Sequence, residues 1–149
     1  MAHEHTPLVS RRDALLALSA LSMWSAALFV GAPLAHAQPA QSVSIVEPAN
    51  GATVTSPFKL RFAVSGMAVA PAGDMLANSG HHHLLIDVDP IAAGTPVPAD
   101  DKHIHFGKGQ TEVEVTLPPG TYKLTAQFAN GAHQSYGPAM SQTIKVTVR

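Results

Sequence analysis

From Ser42 to the C-terminus, apolar side chains recur at every second position, and turn-forming residues break the pattern at short intervals. Only an extended strand places alternate residues on one face, so such a chain must bury its apolar half against another layer. Phe58, Leu60, Phe62 and Val64 alternate with Lys59, Arg61 and Ser65, and Val113, Val115 and Leu117 with Glu112, Glu114 and Thr116. Ile144, Val146 and Val148 alternate with Lys145, Thr147 and Arg149. Ser42 to Glu47, His81 to Asp89, His103 to Phe106 and a run carrying Tyr122, Leu124, Ala126 and Phe128 bring the expected strands to seven. Pro48-Ala49-Asn50-Gly51, Gly107-Lys108-Gly109 and Pro118-Pro119-Gly120 supply turns between them. Pro90, Pro96 and Pro98 make the segment from Pro90 to Asp101 extended and stiff. No segment past residue 38 has a helical period. The pattern predicts an all-β fold, a seven-stranded antiparallel immunoglobulin-like sandwich.

The N-terminus reads differently. Arg11 and Arg12 precede an Ala/Leu-rich run from Ala14 to Ala35, and Ala35-His36-Ala37 has the small-x-small form of a cleavage site. Residues 1–37 are read as a signal peptide and 38–149 as the sandwich domain, which makes the protein exported and periplasmic. Ser10-Arg11-Arg12 resembles a twin-arginine export signal, although Ala14 and Leu15 match the usual residues after the arginines only loosely, so the export route stays open. A retained membrane anchor is the competing reading, because the run is long enough to span a bilayer. Ser19, Ser22 and Ser25 dilute it, which favours cleavage and no membrane contact afterwards.

The chain has no cysteine, which excludes disulfides, thiolate zinc sites and cysteine nucleophiles. A formal net charge of −1, with no basic run past residue 38, argues against nucleic acid as a partner. Nine histidines are many for this length, and all but His3 and His5 lie at or beyond His36.

The densest group is H-H-H-L-L-I-D-V-D, from His81 to Asp89. As a strand it sets His81, His83 and Asp87 on one face and His82, Leu84, Ile86 and Val88 on the other, which reads as core. Two imidazoles about 7 Å apart along one strand face can share an ion if a neighbouring strand adds ligands. His103 and His105 repeat the His-x-His spacing. In immunoglobulin order the third strand neighbours the sixth in one sheet, so His81 and His83 fall near the loop holding His133 and Tyr136. The fourth strand returns His103 and His105 towards the same end, unless it joins the opposite sheet and splits the pairs. His81, His83, His103, His105 and His133 are therefore the candidate metal ligands. Exposed, clustered imidazoles gain nothing by packing and repel one another when protonated, so a ligand that uses their lone pairs accounts for them best. His82 is read as structural, and Met67, Met75 and Met140 as core or loop filler. Asp87 and Asp89 either orient a ligand ring or solvate the strand end.

Two resemblances bear on this reading. I-V-E-P-A-N-G-A-T-V-T-S-P-F-K-L-R-F-A-V-S-G is similar to the first two strands of many bacterial immunoglobulin-like envelope domains. G-H-H-H-L-L-I-D, H-I-H-F-G-K-G-Q-T-E, L-P-P-G-T-Y-K-L-T-A-Q-F-A-N and H-Q-S-Y-G-P-A-M-S together resemble a bacterial exported family catalogued as domain of unknown function 4399. The second resemblance covers nearly all of the chain past the leader. It implies an exported domain and brings no activity with it.

Neutral imidazoles without thiolate suit Cu(II), Zn(II) or Ni(II), and Cu(II) binds such a set most tightly. Copper is favoured over zinc. Gln38 at the expected mature N-terminus rules out a histidine brace there. The expected function is a non-enzymatic periplasmic metal-binding protein for storage, delivery or protection, with affinity falling below about pH 6.5 as protons compete for the ring nitrogens. One alternative is a cell-envelope interaction module that binds another envelope protein or a glycan and shows a broad apolar patch. Another is a small metalloenzyme, with Glu112 or Tyr136 assisting, which needs a pocket beside the histidines.

Overall fold

The computed structural model describes residues 39–149, and the leader expected over 1–37 lies outside the described residues. Among the described residues the strands, in chain order, are β1 Ser42–Glu47, β2 Ala52–Val54, β3 Phe58–Ser65, β4 Ala68–Val69, β5 Ser79–Ile86, β6 His103–His105, β7 Glu112–Val115, β8 Gly120–Ala129 and β9 Ser141–Val148. A short 3-10 turn, Pro138–Met140, leads into β9. One sheet has the order β1-β3-β7; the other runs β2-β9-β8-β5-β4, with β6 also paired to β5. This is the all-β class, in two sheets that share a core.

Two strands exceed the expected seven, and both are short. β2 lies parallel to β9 and β4 parallel to β5. Segments of two or three residues can make ladder hydrogen bonds but are too short to display alternation, so the sequence pattern passes over them. The parallel pairs also depart from a purely antiparallel sandwich.

The core forms where the inner faces meet. Val43 and Ile45 of β1, Phe58, Leu60 and Phe62 of β3 and Val115 of β7 pack with Leu84 and Ile86 of β5, Leu124, Ala126 and Phe128 of β8 and Ile144, Val146 and Val148 of β9. Fully burying such a side chain stabilises by roughly 1.5–3 kcal/mol each. β3 shows the expected half-burial, with Lys59, Arg61 and Ala63 outward. β5 does not: all eight of its residues are buried.

The reason lies outside β5. Its outer face, Ser79, His81, His83 and Leu85, is roofed by two loops tied to the sheet and to each other. The Gln127 amide accepts from Ile91 N–H at 3.0 Å and donates to the carbonyls of Gly137 and Met140 at 3.1 and 3.2 Å. Ser135 N–H donates to Thr95 C=O at 2.9 Å, Gly94 N–H to Ser135 C=O at 2.8 Å and Val97 N–H to His133 C=O at 2.9 Å. The proline-rich segment thus lies across the sheet instead of trailing into solvent. β5 itself stops at Ile86, short of Asp89, because Asp87 turns into the left-handed region at φ 56° and its carboxylate accepts from Lys123 N–H at 2.7 Å.

Candidate metal centre

Sheet register decides which histidines meet. His83 of β5 stands directly opposite His105 of β6, and His103 opposite Leu85, one pleat further along. Opposed residues share a face and lie closest across a ladder. His105 therefore reaches the β5 histidines, and His103 does not. His103 instead points its Nδ1 at the Asp100 carboxylate, 2.7 Å away, and that hydrogen bond holds Asp100 below the usual carboxylate range. Asp87 and Asp89 turn to Lys123, Asp89 at 2.6 Å from its Nζ, and orient no imidazole.

Four rings gather at one end of β5. His81 lies 4.8 Å from His83, 4.9 Å from His105 and 5.0 Å from His133, centroid to centroid. His105 and His133 are 4.6 Å apart, with their Nε2 atoms at 3.1 Å, so one donates to the other. Ring nitrogens of His81, His105 and His133 all fall within 4.8 Å of one another. Nitrogens held at 2.0–2.1 Å from one ion span at most about 4.2 Å, so closure onto a metal needs shifts of less than about 1 Å. His83 flanks this trio, 5.1 Å from His105 and 6.0 Å from His133.

Burial sets the electrostatics. The outward rings of β5 are not exposed as alternation suggested: His81 is 0% and His83 1% exposed, and His82, read as core, is 0% exposed. A buried imidazolium loses its hydration, so burial first, and then the neighbouring imidazoles, hold His81 and His82 at about 4 and His83 at about 3. His105 is lowered for the same reasons. His81, His82, His83 and His105 therefore present neutral lone pairs at neutral pH. Among the described residues both ring nitrogens of His81 lack a hydrogen-bond partner, as does Nδ1 of His83. A neutral imidazole carries one N–H and one lone pair, and leaving both unmatched in the interior is costly. His82 is orphaned too, but on the core side, stacked on Phe62 at 4.7 Å and edge-on to Phe128 at 5.1 Å.

His133 is delivered by strained backbone. Its φ of 63° lies in the left-handed region, which costs a side-chain-bearing residue roughly 1–2 kcal/mol. The turn that imposes this is built by Asn130, whose Oδ1 accepts from Ala132 and Gln134 N–H at 2.9 Å each. Gly131 completes it, since a Cβ there would strike the Asp74 carbonyl oxygen. His133→Gly should leave apo stability within about 1 kcal/mol of the parent, because relief of strain offsets glycine's entropy. Metal affinity should fall by more than tenfold. Thermal denaturation beside metal titration checks both, and a large loss of apo stability would make the ring a packing element instead.

A cleft of about 360 Å³ opens beside the cluster, lined by His83, His105 and His133 and by Pro96, Val97, Pro98, Ala99 and Ala132. His81, fully buried, is not among its lining residues. Alternation and motif reading passed over the Gln127 anchor and these small apolar wall residues, which carry no chemical signature of their own. Gly107 also matters here, because a Cβ on it would collide with the His105 ring.

The arrangement of neutral imidazoles, without carboxylate or thiolate, is one that can hold a borderline transition-metal ion. A family model described as Domain of unknown function (DUF4399) matches residues 60–149, the span that carries every histidine of the cluster. No curated protein and no solved structure matches the chain.

Proposed function

The chain belongs to the family Domain of unknown function (DUF4399), which assigns no activity, and we propose that it is an exported periplasmic metal-binding protein, for copper ahead of zinc, serving storage, delivery or protection. The observation that carries this reading is His81: a fully buried imidazole with both nitrogens unpartnered, facing three further imidazoles. Interior polar groups are as a rule satisfied, and an ion would satisfy this one while removing the repulsion between the rings. Copper is supported by the donor set, since Cu(II) leads the divalent order for nitrogen ligands. Export rests on the reading of residues 1–37.

The test is calorimetric titration of the purified protein with Cu(II) and Zn(II), alongside a variant lacking His81, His105 and His133 and a control lacking only His103. Stoichiometric binding, tighter for Cu(II), lost in the triple variant and kept in the His103 control, is the expected result. Binding no tighter than that of a surface histidine pair, or equal in all three proteins, would reject the site.

A metalloenzyme is the second reading, and the cleft beside the histidines favours it. Among the described residues the exposed large apolar side chains are Val46 on β1 and the adjacent Met75 and Leu76 on one loop, not the broad patch an interaction module requires.

A further inference from the structure

We propose that the cleft over His83, His105 and His133 takes a small monocarboxylate with a short apolar body, bound through its carboxylate to the metal ion. This rests on the metal reading above and names the ligand that completes the site.

Charge is the first reason. Every candidate ligand of the ion is an imidazole, which brings no negative charge, and among the described residues no acidic side chain lines the cleft. A divalent ion held there keeps its whole charge, next to a His81 ring that has no contact with solvent. An uncompensated charge in such surroundings is costly, and an anion brought to it is held correspondingly well. Of the acidic groups near in sequence, Asp100 bonds His103, Asp89 bonds Lys123, Asp87 accepts from Lys123 N–H and Asp74 accepts from Leu76 N–H, while Asp101 does not line the cleft.

Geometry is the second. The trio whose ring nitrogens converge is His81, His105 and His133, and His105 and His133, unlike the fully buried His81, line the cleft, so an ion among the three has one side open to it. Three protein ligands with an open position are the arrangement in which metal sites accept an outside ligand.

The wall supplies the third. Pro96, Val97, Pro98, Ala99 and Ala132 offer no charge and no side-chain hydrogen bond, so beyond its head the ligand must be apolar. The prolines and the Val97–His133 backbone hydrogen bond keep that wall in place without a ligand. A volume of about 360 Å³ lies at the small end of ligand pockets and has room for a short aliphatic body.

Cu(II)-loaded protein, with loading established beforehand by calorimetry, is titrated with butyrate, acetate, azide and neutral butyramide, following the visible and electron paramagnetic resonance spectra of the copper. Butyrate should bind at least tenfold tighter than acetate or azide, shift the copper spectrum, and ignore the apo protein; butyramide should not bind. Ala132→Asp, which sets a carboxylate on the wall, should weaken butyrate at least tenfold, parent and variant being compared at copper loading measured for each. Loaded protein that takes no anion, or takes butyramide as well as butyrate, overturns the proposal alone. Equal affinity for azide and butyrate overturns the apolar body. Protein that takes up no copper overturns the metal reading, and this inference with it.

Discussion

Replacing His81 with leucine is expected to make the apo protein more stable and to cut its metal affinity by more than a hundredfold. The two effects share one cause. His81 is 0% exposed, its two ring nitrogens have no partner, and three other imidazoles stand within 5.0 Å of it. An imidazole left unsatisfied in the interior costs on the order of 1–3 kcal/mol, and leucine of similar bulk carries no polar atom, so a gain of about that size is expected. Affinity moves the other way because the ligand at the back of the site is gone. Loss of groups that merely orient a ligand costs about 10–100-fold, and loss of a ligand itself should exceed that. Urea denaturation with and without Cu(II), beside calorimetric titration, separates the terms. A leucine variant that loses apo stability yet keeps its metal would make His81 an ordinary core residue. A site that weakens its own fold to keep a ligand is the pattern expected when function opposes stability.

The second large effect is on pH. His81 and His82 are held at about 4 and His83 at about 3, against an ordinary 6.5, first of all by burial. Between those values the unfolded chain binds protons that the folded chain refuses, so stability rises with pH and is lost as pH falls below 6.5. The loss continues to about 4 for His81 and His82 and to about 3 for His83, then levels. Each histidine contributes a slope of about 1.4 kcal/mol per pH unit, and these three together roughly 4. From pH 6.5 to 4 the loss amounts to roughly 10 kcal/mol, so a domain in the lower half of the ordinary range of about 5–15 kcal/mol should unfold in the apo form before pH 4. Metal should resist this, since an excess of about 100 times Kd adds about 2.7 kcal/mol, until protons displace it. The affinity edge should accordingly fall below the pH 6.5 of a free imidazole. Thermal melts of apo and Cu(II)-saturated protein from pH 7.5 to 4 check this; an apo melting temperature flat across that range would mean that these rings are not neutral and buried in solution.

Much of the fold was legible in the chain. β3 reads correctly because its outer side chains meet water and its inner ones meet β1, β7 and the facing sheet, so burial alternates as the residues do. β8 also reads correctly on its inner face, where Tyr122, Leu124, Ala126 and Phe128 point to the core. β2 and β4 were not legible, being too short for any period to show. The outer face of β5 misled for another reason. Alternation reports which residues can face the core, but not whether a loop from elsewhere closes over the other side, and here the proline-rich segment and the turn after Asn130 do so.

The site divides along the same line. Its residue types, the absence of cysteine and the two His-x-His spacings are properties of the chain, and they alone point to imidazole ligation without thiolate. Spacing cannot separate His103 from His105, because both lie on the same strand face; the pairing of His83 with His105 separates them. Nor can it say that His133 arrives on left-handed backbone, or that Pro96 to Ala99 wall a cleft beside it. Alternation and ligand chemistry are local, written within a few neighbouring residues. Register, roofing and convergence are set by contacts between residues far apart in the chain, and those exist only once the sheets have packed.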